Sequence, residues 1–381
     1  MMILKNPVSL NRMILPHTGL RGIAALLVFM THLGHETKIT LGINPAYFPQ
    51  FYLADFAVDL FFILSGFILN WVYFKSGNQI INWKDYLKAR CVRILPLYYL
   101  TLCAYLTPLI QSIRYNGWLY EHGKDFLLLF GNLSLFSGIA GVTHWDWTLN
   151  APAWSISIEF FAYLFLFPPL VFLFKKTYQE KVFFSLLIIT VLGMLLCYAN
   201  INHLLMEWNW TRFARGVFGF PLGFLICILF KRTEVKRGIA VDAVNLTAIV
   251  IIFLSLYSFL PSILILCVLP FIVYFTAFDK GYFCKFLNIK INQWLGERSY
   301  SIYLCHIPIM YVYFIPMRGT IDSFISLPKK YHGAINVFLV IVAVFLVSEL
   351  SYRYFETPIR YFFRRKSQRE SDFDPVKVGQ I

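Results

Sequence analysis

The stretch GLRGIAALLVFMTHLGH, Gly19 to His35, decides how the rest of the chain is read. It is apolar enough to enter a bilayer, yet it carries Arg21 near one end and His32 near the other. The two are 11 residues apart. At about 100° per residue they share one stripe of a helix, within roughly 20°, and lie roughly 16 Å apart along its axis. One face of one helix thus holds a fixed cation at one depth and a titratable imidazole at another. An arginine at the centre of a membrane segment costs about 2.5–3.5 kcal/mol on insertion scales, so such groups are read first as functional. The structural alternative is that Arg21 snorkels to the interface and His32 bonds a neighbouring helix.

Of 381 residues, 58% are hydrophobic and only 14% charged. Soluble domains run near 45–50% and 25%, so this is an all-α, polytopic membrane protein. The net charge of +14 is then an excess of cytoplasmic lysine and arginine under the positive-inside rule. No nucleic-acid-binding motif is visible, and nucleic acid is not an expected partner; membrane lipid is. The seven cysteines show no C-x-x-C spacing and read as free thiols. No metal site is expected. Met1 to Pro16 lacks a cleavage pattern, so the first span is expected to be retained.

Spans need about 20 mainly apolar residues. Ten such stretches are read: about 19–36, 52–74, 94–113, 152–174, 182–200, 211–230, 241–258, 261–278, 299–317 and 334–356. Phe126 to Ile139 is apolar but short, and reads as an interfacial or re-entrant piece. With the N-terminus inside, the inner segments hold most of the cations, among them Lys84, Lys88, Arg90, Arg93, Lys175, Lys231, Arg237, Lys285 and Arg298. The outer loops hold few, so about ten spans with both ends inside is the expected topology. Residues 1–360 form the membrane domain and 361–381 a short basic cytoplasmic tail. The outer loop Arg114 to Asn150 carries His122, His144, Trp145 and Trp147, which could stack on a sugar or simply anchor the loop at the interface.

Further polar residues sit inside the spans. Asp59 lies about two turns into the second span, at a depth comparable with His32. A carboxylate there could fix an imidazole tautomer and raise its basicity, as a general base requires. Ser65-Gly66 is assigned to packing. Arg90 and Arg93, at i and i+3, share a face at the inner mouth of the third span, where paired guanidiniums suit phosphate or lipid headgroups. Glu159 lies about two turns into the fourth span with Ser155 on its face. It is open to pairing with Arg212 or Arg215. His306 precedes Pro308, where the helix should kink. Arg353 and Glu356 read as an i, i+3 surface pair. By depth, His32, Asp59 and Glu159 fall in the outer half, and Arg21, Arg90, Arg93 and Arg298 at the inner mouth.

Arg21 with His32, VDLFFILSGFIL at 58–69, R-x-x-R-x-x-P at 90–96, PAWSISIEFFAYL at 152–164, GERSYSIYLCHIPI at 296–309 and SYRYFETPIR at 351–360 together resemble the membrane-bound acyltransferase-3 family, whose members O-acylate bacterial envelope polysaccharides, O-antigens and related glycans. The resemblance covers nearly the whole chain and has a ten-span core. It implies acyl-CoA, acetyl-CoA first, as a co-substrate with no bound cofactor. It implies a glycan or lipid-linked glycan acceptor at a bacterial inner membrane. By position, His32 becomes the catalytic base, supported by Asp59; Arg21, Arg90 and Arg93 serve the donor; Glu159 is the motif acid. Ser155, Arg298 and His306 are additional candidates. Many members carry a second acid where Phe160 stands, so that acid is not essential here. Many also carry a C-terminal esterase-like domain; this chain ends at Ile381, so such a partner is expected to be separate or absent. A reading from a different class is a proton-coupled transporter or flippase of a lipid-linked sugar or other anion, with the intramembrane acids and histidines as proton relays. Transporters of this size often show repeat symmetry, and no repeat is visible here.

Overall fold

The computed structural model describes residues 13–41, 53–74, 81–105, 130–138, 149–176, 180–201, 209–310, 315–324, 328 and 331–363. His122, His144, Trp145 and Trp147 of the outer loop, and the tail beyond residue 363, lie outside these residues. Among the described residues every regular element is a helix and none is a strand.

Helix α1 runs Leu15–Leu41, α2 Leu53–Tyr73 and α3 Trp83–Cys103. Then α4 (Ala153–Phe161) passes through a π-turn (Ala162–Leu166) into α5 (Phe167–Lys176). Helices α6 (Glu180–Ile201), α7 (Asn209–Arg232), α8 (Gly238–Leu256) and α9 (Ile263–Thr276) follow. The short α10 (Gly281–Leu287) and α11 (Lys290–Glu297) lead to α12 (Ser299–Ile307), α13 (Ile315–Phe324) and α14 (His332–Ser351). A second π-turn, Tyr352–Glu356, extends α14.

Among the described residues, six helices are long and apolar enough to cross a bilayer, or seven if α9 and α10, bent by 88°, make one span. The expected count of ten is not reached on length and apolarity. The stretches at α1, α3 and α12 fall short, and each carries at least one candidate site residue. Arg21 and His32 dilute α1; Lys84, Asp85, Lys88, Arg90 and Arg93 dilute α3; and α12 is only 9 residues long.

The third stretch also starts earlier than expected. The Asn82 side chain accepts from the backbone N–H of Lys84 and Asp85, at 3.1 and 3.4 Å, and caps α3 well before Ile94. Arg90 and Arg93 therefore lie within the helix instead of flanking it. Helix α12 ends at Ile307, with Pro308 as its cap, and the chain enters another π-turn, so the irregularity expected beside His306 is present.

Helix α1 is central, packing on α2, α11, α12 and α14. The α2–α7 crossing is equally close. A Cβ on Gly66 would collide with the Phe220 carbonyl, and one on Gly223 with that of Ile63, so each helix gives a glycine to the other's backbone. Small residues here replace the hydrophobic drive that lipid cannot supply. All seven cysteines are free thiols.

Candidate active site

A cavity of about 900 Å³ opens among α1, α2, α3, α4 and α12, with Arg360 on its wall. That is the size of a site for a drug-sized or cofactor-sized ligand. Its lining holds Arg21, Lys88, Arg90, Arg93 and Arg360 against only Asp85 and Glu159, so it is electropositive. Arg21, Arg90 and Arg93, expected together, are brought together. Among the described residues none of the three forms an ion pair. Arg21 donates to Ser299 Oγ at 3.3 Å. Arg90 donates to the Tyr73 hydroxyl at 3.1 Å, and its guanidinium lies 5.3 and 5.7 Å from the Tyr73 and Tyr163 ring centres. Its Nε is buried and has no hydrogen-bond partner among the described residues. Arg93 sits 5.7 Å from the Tyr300 ring centre. Ring faces hold these cations in place but do not neutralise them. Unbalanced guanidiniums in a low-dielectric cavity call for an anion.

Glu159 and Ser155 both face this cavity. Glu159 Oε1 accepts hydrogen bonds from Ser65 and from Tyr163 one turn on. The π-turn that carries Tyr163 widens the helix and leaves its carbonyl to accept from Tyr86 Oη at 2.9 Å. Ser65 thus binds the motif acid, beyond the packing role read for it, while the neighbouring Gly66 does make the close crossing. Ser155 Oγ lies 2.6 Å from the Tyr303 hydroxyl, and both line the cavity.

His32 is placed elsewhere on α1, beyond the lining residues. Its Nδ1 lies 2.9 Å from the Val28 carbonyl and 3.3 Å from Nε2 of His306. The Tyr303 ring is 6.3 Å from that of His306, centre to centre, so one aromatic side chain links the cavity to the histidine pair. Asp59, read as a support for His32, is held by a different group. Arg215 grips it bidentately, Nε to Oδ1 at 2.8 Å and Nη2 to Oδ2 at 3.0 Å. The face of α2 that bears Asp59 meets α7, where a buried guanidinium fork matches a carboxylate better than an imidazole does. Arg215 is therefore not the partner of Glu159; Arg212 lies 5.4 Å from the Trp154 ring centre.

Two further readings are corrected. Arg298 does not line the cavity. Glu349 and Glu297 bind it, and it stacks on Trp294 and Tyr352 at 4.8 and 4.5 Å. Two carboxylates leave it no charge to offer a donor. Arg353 pairs with Glu349 at 3.0 Å and not with Glu356. The π-turn inserts an extra residue and rotates Glu356 inward, where it accepts from Ser301 and Arg360. Arg360, Tyr163, Tyr300 and Tyr303 are among the lining residues that sequence reasoning missed. The i, i+4 spacing of Glu356 and Arg360 was the available signal for one of them. Among the described residues no group of three or more His, Cys, Asp or Glu is placed to hold a metal ion.

The family model described as an acyltransferase domain matches residues 18–353. The O-acetyltransferase OatA of Staphylococcus aureus (strain NCTC 8325 / PS 47) is 24% identical, over 85% of this chain and 55% of the relative. The peptidoglycan O-acetyltransferase OatA of Listeria monocytogenes is 23% identical, over 80% of this chain and 51% of the relative. The chain thus spans about half the length of the curated relatives it matches. No solved structure matches it.

Proposed function

The chain belongs to the acyltransferase-3 family, and from that premise we propose that it is an integral-membrane O-acyltransferase, moving an acyl group, acetyl first, from acyl-CoA to a hydroxyl of a cell-envelope glycan. The observation that carries this reading is the cavity of about 900 Å³ with Arg21, Arg90 and Arg93 on its wall and no ion pair to any of them among the described residues. A CoA thioester brings several phosphate charges, which guanidiniums bind bidentately. The donor enters from the cytosol, and the acceptor approaches from the outer side of a bacterial inner membrane. The name of the Listeria relative supports peptidoglycan as the acceptor class; a lipid-linked precursor is the other form such a glycan takes at a membrane.

In the chemistry proposed, His32 removes the proton of the acceptor hydroxyl. The oxygen attacks the thioester carbonyl, a C–O bond forms, the C–S bond breaks, and the proton ends on the departing thiol sulfur. Glu159 accepts from the Ser65 and Tyr163 hydroxyls, which fix its carboxylate on the cavity wall among the guanidiniums as a counter-charge. Asp59 acts at one remove, by tying α2 to α7.

The test uses membranes containing this protein, isotope-labelled acetyl-CoA and envelope glycan, with a His32→Ala preparation in parallel. Label in glycan with wild type and not with His32→Ala is the expected result. Flux of a lipid-linked sugar or other anion without any acyl donor, together with no transfer, would instead identify a transporter.

A further inference from the structure

We infer that His306 is a positioning residue for His32, keeping the proton of the neutral His32 ring on Nδ1 and accepting from that N–H while Nε2 takes up a proton. The inference rests on the reading of His32 as the base. It follows from which atoms can donate. Carbonyl oxygens only accept, and the Ile302 carbonyl lies 3.0 Å from His306 Nδ1. Nδ1 of His306 therefore carries hydrogen, and Nε2 of the neutral ring carries a lone pair. That Nε2 is 3.3 Å from His32 Nδ1, and the Val28 carbonyl is 2.9 Å from the same atom. Both of these neighbours of His32 Nδ1 are acceptors. The proton of neutral His32 therefore sits on Nδ1 and its basic lone pair on Nε2.

The two histidines are not interchangeable. His306 is fully buried, packed edge-on against Phe29 at 5.9 Å between ring centres and tied into α12 through Nδ1. His32 is only half-buried. The fixed ring serves as the acceptor and the accessible ring exchanges protons. When Nε2 of His32 gains the acceptor's proton, its Nδ1–H becomes a charged and stronger donor, and the hydrogen bond to His306 tightens as charge develops. A carboxylate usually fills this place in a base–orienter pair. Here Asp59 is engaged by Arg215, and a neutral imidazole occupies the position.

The test uses the full chain in nanodiscs with labelled acetyl-CoA and envelope glycan. His306→Leu removes the acceptor, while His306→Gln keeps an amide oxygen near the Nε2 position. His306→Leu is expected to lower kcat about 10- to 100-fold, part of the roughly 10²- to 10⁴-fold that a positioned base supplies. The KM for acetyl-CoA should stay unchanged. His306→Gln should recover most of the loss, and His306→Leu should cost nothing further in a His32→Ala background. Wild-type kcat in His306→Leu, or equal impairment of the Leu and Gln variants, overturns the inference. Full activity in His32→Ala instead overturns the base assignment. A second measurement is independent of turnover: with isotope-labelled histidine, a nitrogen–nitrogen coupling across the His32–His306 hydrogen bond is expected, and its absence contradicts the inference even if no transfer is seen.

Discussion

Asp59 on α2 and Arg215 on α7 form a buried, bidentate ion pair, with Nε to Oδ1 at 2.8 Å and Nη2 to Oδ2 at 3.0 Å. Both side chains are almost fully buried, at 3% and 5% exposure. Removing one partner of such a pair costs about 3–5 kcal/mol, because the other charge stays buried. Asp59→Asn should therefore lower the melting temperature of the purified protein markedly. Replacing both residues by leucine and methionine should restore much of it. An unchanged melting temperature in Asp59→Asn contradicts the pairing.

The same helix pair depends on Gly66, whose Cβ position is filled by the Phe220 carbonyl. Gly66→Ala should force α2 and α7 apart at a cost of about 1–3 kcal/mol, the usual range for overpacking. Membrane yield and thermal stability read this directly. Ser65→Ala, one residue away, should lower acyl transfer and cost no more stability than the one charge-assisted bond its hydroxyl donates to Glu159, about 1.5–3 kcal/mol.

Arg298 separates holding the fold from binding the donor. It is bound by Glu349 and Glu297 and lies off the cavity wall. Charge-assisted hydrogen bonds contribute about 1.5–3 kcal/mol. Arg298→Ala should thus reduce stability while acetyl-CoA affinity, measured per folded molecule, stays at the wild-type value. A fall in affinity without a fall in stability would place Arg298 back at the donor site.

Glu159 is the less exposed of the two acids that line a basic cavity, and Tyr163 donates to it across one turn. Tyr163→Phe should lower transfer about tenfold, the equivalent of one charged hydrogen bond. Glu159→Gln should lower it further, while leaving the histidine pair intact. Equal wild-type turnover in both variants would remove this acid from the reaction.

Helical periodicity and hydropathy made one part of this site legible and hid the rest. Arg21 and His32 share a stripe of α1 because 11 residues nearly complete three turns, and Ser155 and Glu159 share a face for the same reason. Such relations are local to one helix. The contacts that complete the site join residues 94, 156 and 274 positions apart: Ser65 with Glu159, Asp59 with Arg215, and His32 with His306. Only packing decides these pairs, so the bidentate grip of Arg215 on Asp59 is not legible from spacing. The π-turn at Tyr352–Glu356 defeats even local periodicity. It turns Glu356 away from Arg353 and towards Arg360, which put Arg360 out of view as a lining residue. The start of α3 was hidden differently: the dense charge after Asn82 looks like a cytoplasmic flank, while the Asn82 cap carries the helix through it.

Arg21, Arg90 and Arg93 are the proposed site of a phosphate-bearing acyl donor. The direct measurement is an equilibrium titration of the purified wild-type protein and the Arg90→Ala/Arg93→Ala double variant with acetyl-CoA, at fixed salt. Saturable binding by wild type, weakened at least 100-fold in a double variant that remains folded, is the expected result. Equal affinity in the two proteins, or no binding to wild type, contradicts it.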